Sequence, residues 1–112
     1  MIRRLGVIRS KKAGKNEYIV LEAIEKPKKF VTNLALMPMY GFDSSIFPAL
    51  KKVNAGVGDE IELTDGIQNL IRNGKQVRNI DLSRGDIWVD VSTPESYWEA
   101  QRLTHKLFAH GK

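Results

Sequence analysis

The 112 residues predict a mixed α/β domain of the α+β kind, in the order β-β-β-α-α-β-β-α. Three observations carry that prediction. Short runs rich in β-branched residues are separated by polar turns in the N-terminal third, helical spacing of apolar residues appears in three places, and strands and helices do not alternate regularly as a parallel βαβ sheet requires. Apolar residues make up 42% and charged residues 28%, values ordinary for a packed domain and too apolar for a disordered chain. The length fits a single domain, residues 1–112.

Arg4–Arg9 reads as a short strand, and Ser10–Asn16, polar and carrying Gly14, as a hairpin turn. Glu17–Glu25 is a second strand, rich in β-branched residues, which Pro27 ends because proline cannot donate to a ladder. A basic loop, Lys26–Lys29, follows. Asn33–Phe42 is mostly apolar and predicts a buried third strand, with Pro38 marking a bulge, bend or edge. Asp43, Ser44 and Ser45 offer capping oxygens for a helix carrying Ile46, Phe47, Leu50 and Val53. Asn54–Gly58 is a turn. Thr64 or Asp65 then caps a helix with Ile67, Leu70 and Ile71 on one face and Gly74 as its stop. Val77–Leu82 and Ile87–Val91 predict two strands around the turn Ser83–Asp86. Thr93-Pro94-Glu95 opens a last helix running to Ala109: a capping hydroxyl, a proline at the first helical position, then an acid.

Composition excludes several chemistries. With no cysteine there is no disulfide, thiolate nucleophile or Cys-based zinc site, and His105 and His110 are too few for a multi-histidine metal centre. No apolar run approaches the roughly 20 residues of a membrane span, and no signal core follows Arg3 and Arg4, so a cytoplasmic protein without membrane contact is expected. No G-x-G-x-x-G or G-x-x-x-x-G-K-[ST] phosphate loop occurs. The net charge is +5, and Arg3, Arg4, Arg9, Lys11, Lys12 and Lys15 could attract phosphate. The aromatics do not interleave with them as a stacking platform would, so a solvated hairpin is expected and nucleic acid is not.

Three acidic stretches bear on chemistry. Glu25-Lys26 sets a carboxylate and an ammonium at a strand end, where the first accepts from polyol hydroxyls and the second donates to oxygens or phosphate; a plain surface ion pair is the alternative. Asp59–Asp65 is an acidic stretch before a helix, for which capping is the simpler role. Trp88 and Asp90 lie on one side of a predicted strand, and an Asp at a strand end can hold Mg²⁺, although one carboxylate makes a poor site.

Together these stretches resemble the sugar-1-phosphate nucleotidylyltransferases. Leu5-Gly6-Val7, Ile24-Glu-Lys-Pro27, Thr32-Asn-Leu-Ala35 leading to Tyr40, Gly58–Asp65 and Trp88–Pro94 follow the family's order from about residue 3 to 109. The stretch Val57–Asp65 looks most like the UTP–glucose-1-phosphate uridylyltransferases, or UDP-glucose pyrophosphorylases, and the glucose-1-phosphate thymidylyltransferases are similar. The resemblance implies part of a nucleotide-diphospho-sugar transferase fold, lacking the N-terminal half that binds the nucleotide, and a sugar 1-phosphate as ligand.

By that resemblance Gly6 lets the backbone approach the sugar, Glu25 accepts from its hydroxyls, and Lys26 contacts the sugar or its phosphate. Tyr40 and Trp88 line the pocket. Asp90 is one of two Mg²⁺ ligands, the second carboxylate belonging to the absent half. Three positions depart from the family: Ser92 and Asp59 stand where glycine is usual, and Gly58 where thymidylyl-type members often have arginine. Half the cation set and one carboxylate predict a chain inactive alone. It would work with a chain carrying the nucleotide half. The alternative is a non-catalytic interaction protein stabilised by self-association, and exposed sheet edges favour a homo-oligomer in either case.

Overall fold

The computed structural model describes residues 5–54, 59–82 and 85–109. The predicted turns centred on 55–58 and 83–84 fall outside them, as do Arg3, Arg4 and His110. The chain divides into two compact units, residues 1–81 and 82–112.

The first unit is built on a three-stranded antiparallel sheet in the order β1 (Val7–Gly14), β2 (Glu17–Ile24), β3 (Arg78–Asn79). The hairpin is longer than predicted. Lys11 pairs with Ile19 and Lys12 with Tyr18, so most of the expected turn is strand, and the reversal is made by Lys15 and Asn16, whose φ is +61°. The lysines misled because they look like loop composition, whereas solvated lysines are usual on a sheet edge. Register shifts at Arg9/Ser10 and Lys12/Gly14 reset the strand faces. Because Arg9 faces Glu22 and Ser10 faces Val20, Leu21 is the extra residue; this puts Val20 and Ala23, three apart, both into the core.

The predicted third strand, 33–42, contracts to a single antiparallel bridge between Ala35 and Val7. Two backbone bonds flank it, Ile8 N–H to Leu34 O at 3.0 Å and Leu36 N–H to Gly6 O at 2.9 Å. Beyond it the backbone folds around Pro38, with Met39 N–H donating to Met37 O at 2.7 Å, which ends any ladder. The predicted strand 77–82 keeps only Arg78 and Asn79, plus a bond from Val20 N–H to Val77 O. Its partner β2 begins at Glu17, so the ladder runs out there.

Helix α1 (Ile46–Lys51) starts where predicted, with Pro48 in its first turn and Asp43 Oδ1 accepting Ser45 N–H at 2.9 Å. Helix α2 (Leu63–Arg72) packs across β2 and α1. Ile67 joins Ile8, Val20 and Ala23 in one buried cluster, and Leu70 joins Ile46 and Ala49 in another. Polar bonds fix its pose: Gln68 Oε1 accepts Ala23 N–H at 2.8 Å and Asn69 Nδ2 donates to Ala49 O at 3.1 Å. A Cβ on Gly66 would lie 2.5 Å from Leu50 Cδ2 and 3.1 Å from its Cγ, so the two helices approach closely there and a side chain at 66 would require Leu50 to shift.

In the second unit residues 87–91, predicted as a strand, join no ladder. Helix α3 (Pro94–Ala109) begins as the sequence predicts. Its opening is a reciprocal capping box in which Thr93 Oγ1 accepts Ser96 N–H at 3.1 Å and Ser96 Oγ accepts Thr93 N–H at 3.0 Å.

Candidate functional site

Glu25 and Lys26 follow directly on β2, and the start of α2 reaches both. Thr64 Oγ1 donates to Glu25 Oε2 at 2.5 Å. Thr64 is 5% exposed, and its short β-branched side chain leaves the hydroxyl little freedom. The pair lies over Gly6. A Cβ there would sit 2.6 Å from Thr64 Oγ1, 2.8 Å from Glu25 Oε2 and 3.1 Å from Leu36 Cδ1. The missing side chain at Gly6 therefore makes room for the hydroxyl–carboxylate bond.

Lys26 has φ +42°, the left-handed region that a residue with a Cβ rarely adopts. Its Nζ lies 2.8 Å from Glu62 Oε1. That bond, followed by the charge of Glu62 and more weakly those of Glu25 and Glu60, holds the ammonium above its ordinary pKa. Tyr40 stacks on Phe42 with ring centroids 5.7 Å apart. Partial burial, and then the charge of Glu25, push its phenol above the usual value. Gly6, Glu25 and Lys26 thus gather at the start of α2, and Tyr40 lies within range of the Glu25 charge. Glu25 also borders an open polar groove of about 380 Å³ between the end of β2 and the C-terminal end of α1, with Asp65, Lys52 and Arg72 on its walls.

Thr64 and Glu62 were missed as site residues. Thr64 or Asp65 is predicted to cap α2, yet both sit inside the helix, the capping position is Glu62, and the Thr64 hydroxyl goes to Glu25. Their partners lie 39 and 36 residues away, a separation no local pattern reveals.

Trp88 and Asp90 belong to the second unit. Trp88 is 39% exposed. Asp90 accepts Ser92 N–H on Oδ1 at 3.0 Å and Ser92 Oγ–H on Oδ2 at 2.6 Å. Ser92, at a position where the resemblance implies glycine, thus engages both carboxylate oxygens. Among the described residues no three His, Asp or Glu side chains gather to hold a metal ion. Mg²⁺ takes near-octahedral oxygen coordination, so the residues present do not fit it by themselves.

The sequence matches the model of the nucleotidyl transferase family over residues 2–106. The chain belongs to that family. It is 36% identical over 84 residues to a low-salt glycan biosynthesis nucleotidyltransferase of Haloferax volcanii, covering 75% of this chain and 23% of that protein. It is 37% identical over 84 residues to a UTP–glucose-1-phosphate uridylyltransferase of the same organism, covering 74% and 33%. A uridylyltransferase of the same description from Bacillus subtilis is 33% identical over 89 residues, covering 77% and 30%. The fold matches a crystal structure of UDP-glucose pyrophosphorylase complexed with UDP-glucose, with a TM-score of 0.83 and 25% identity over 95% of this chain and 40% of that one. The chain therefore spans between about a quarter and a third of the length of these three relatives. Among the described residues no helix is long and apolar enough to cross a membrane.

Proposed function

We propose that this chain forms the sugar-phosphate-binding part of a sugar-1-phosphate nucleotidylyltransferase of the UTP–glucose-1-phosphate uridylyltransferase type. The observation that carries the reading is the adjacent Glu25–Lys26 pair, each side chain held by a separate residue at the start of α2. A carboxylate with one oxygen occupied by Thr64 keeps its other oxygen for sugar hydroxyls. A neighbouring ammonium supplies donors for the sugar or its phosphate. Tyr40, stacked on Phe42, would add a flat apolar wall of the kind that sugar rings favour.

In the complete reaction, an oxygen of the sugar-1-phosphate attacks the α-phosphorus of the nucleotide. The bond from that phosphorus to the bridging oxygen breaks, and pyrophosphate leaves with the electron pair. Such chemistry depends on positioning and on neutralising the charge that builds up. The 112 residues hold no Gly-rich phosphate loop to cradle the triphosphate. The nucleotide half, with a second Mg²⁺ carboxylate, would come from other polypeptide, and this chain alone would bind sugar phosphate without turning it over.

Phe30, Met39, Phe47 and Ile61 of the first unit are each more than 60% exposed, which favours association, with a chain carrying the nucleotide half or with a second copy. The reading is tested by calorimetric titration of the chain with glucose 1-phosphate and, separately, with UTP. It expects saturable binding of the sugar phosphate and none of the nucleotide. Binding of UTP alone would overturn it.

A further inference from the structure

We propose that Glu62 is a positioning residue for Lys26, so that the start of α2 aims both members of the binding pair: Thr64 holds the carboxylate and Glu62 holds the ammonium. The inference rests on the reading that Glu25 and Lys26 receive a sugar phosphate.

A lysine side chain has four rotatable bonds, and at a strand end it sweeps a wide volume. Two features remove that freedom here. The backbone of Lys26 is fixed at φ +42°, which sets the direction in which the side chain leaves the loop. Its ammonium then docks on Glu62 at 2.8 Å. The Glu62 side chain is 25% exposed against 51% for Lys26, so Glu62 is the anchored partner and Lys26 the one being placed. An ammonium has three N–H bonds, and the one given to Glu62 leaves two for a second acceptor.

Glu62 and Thr64 are two residues apart at the start of one helix, while Glu25 and Lys26 are consecutive. A single rigid element therefore sets both the carboxylate and the ammonium, with their spacing inherited from backbone geometry. Surrounded by Glu25, Glu60 and Glu62, Lys26 stays charged, and where its free N–H bonds point decides whether a phosphoryl oxygen finds them.

The experiment compares the wild-type chain with Glu62→Gln, which keeps an oxygen acceptor, and Glu62→Leu, which does not. The first readout needs no ligand. The Lys26 ε-methylene titration, followed by NMR, lies above the ordinary lysine value in the wild type and returns towards it in Glu62→Leu; an unchanged titration overturns the proposal. The second readout is affinity for glucose 1-phosphate against methyl α-glucoside. Glu62→Leu weakens the phosphate ligand by about tenfold, the loss of one oriented charge-assisted hydrogen bond. The glucoside should change by less than about twofold, and Glu62→Gln should stay near the wild type on both ligands. Equal losses on both ligands, or a Glu62→Gln as damaged as Glu62→Leu, would show a merely structural role and overturn the proposal. A wild type that binds neither ligand defeats the sugar-phosphate reading, and the ligand-free titration still decides whether Glu62 holds Lys26.

Discussion

Replacing Gly6 by alanine tests the packing on which the site depends. The new Cβ would lie 2.6 Å from Thr64 Oγ1 and 2.8 Å from Glu25 Oε2, both well inside contact distance. The Glu25 carboxylate is the far end of a flexible side chain and can swing away. Thr64 is buried, short and β-branched, so its hydroxyl can retreat only by moving α2 or changing rotamer. Overpacking of this kind costs about 1–3 kcal/mol. Losing the Thr64–Glu25 hydrogen bond adds about 1 kcal/mol, less than for a fully buried charged pair because Glu25 is half-buried and can rehydrate. Against this, alanine reduces the entropy of the unfolded chain, worth about 0.4–1 kcal/mol. The net expectation is a loss of about 1–3 kcal/mol, which for a unit of this size lowers Tm by about 5–20 °C. Thermal and urea unfolding followed by circular dichroism measure it. The double variant Gly6→Ala/Thr64→Ala should cost less than the sum of the single variants by about 1 kcal/mol or more, since the clash partner is gone. A Gly6→Ala chain that melts with the wild type, or strict additivity in the double variant, would refute the close packing of Gly6, Thr64 and Glu25.

Other outcomes follow from the same contacts. Thr64→Val keeps the buried shape and removes only the donor, so it should lose about 1 kcal/mol in urea unfolding and weaken glucose 1-phosphate binding more than it weakens the fold. Gly66→Ala gains about 1 kcal/mol of helix propensity but drives a methyl to 2.5 Å from Leu50 Cδ2 and 3.1 Å from its Cγ, so the variant should melt lower than the wild type; a higher Tm would show that the Leu50 side chain swings aside at little cost. Tyr40 has its pKa raised from 10.0, so as pH climbs past 10 the unfolded chain ionises first and stability falls until the folded phenol also ionises. Tyr40→Phe should remove that alkaline loss, together with one tyrosinate absorbance step, and an unchanged alkaline titration would contradict the raised value.

How much was legible depends on the range of the interactions. The Thr93-Pro94-Glu95 start of α3 and the apolar spacing of Ile67, Leu70 and Ile71 are local patterns, and both helices are found at those positions. The hairpin was legible as a hairpin, but not its length, because Lys11 and Lys12 pair in the ladder while facing water. The apolar segment 33–42 misled in the opposite direction: it has strand composition, but Pro38 turns the backbone after a single bridge at Ala35. The five stretches in family order were readable, and residues 2–106 match the nucleotidyl transferase family. Glu25 and Lys26 stood out as a charged pair at a strand end. Glu62 and Thr64, which hold them, did not, because capping explained an acid and a hydroxyl before a helix equally well. Gly6 was visible as a glycine, but the neighbours that require it come from three other segments of the chain.

The measurement that bears most directly on the central claim is a calorimetric titration of glucose 1-phosphate into the wild-type chain and into Glu25→Gln, with the fold of each checked by circular dichroism. Saturable binding in the wild type, weakened about tenfold or more in a folded Glu25→Gln, is the predicted result, since the amide replaces a charged acceptor of sugar hydroxyls with a neutral one. No binding at millimolar ligand, or equal binding by both chains, would contradict a sugar-phosphate site built on Glu25.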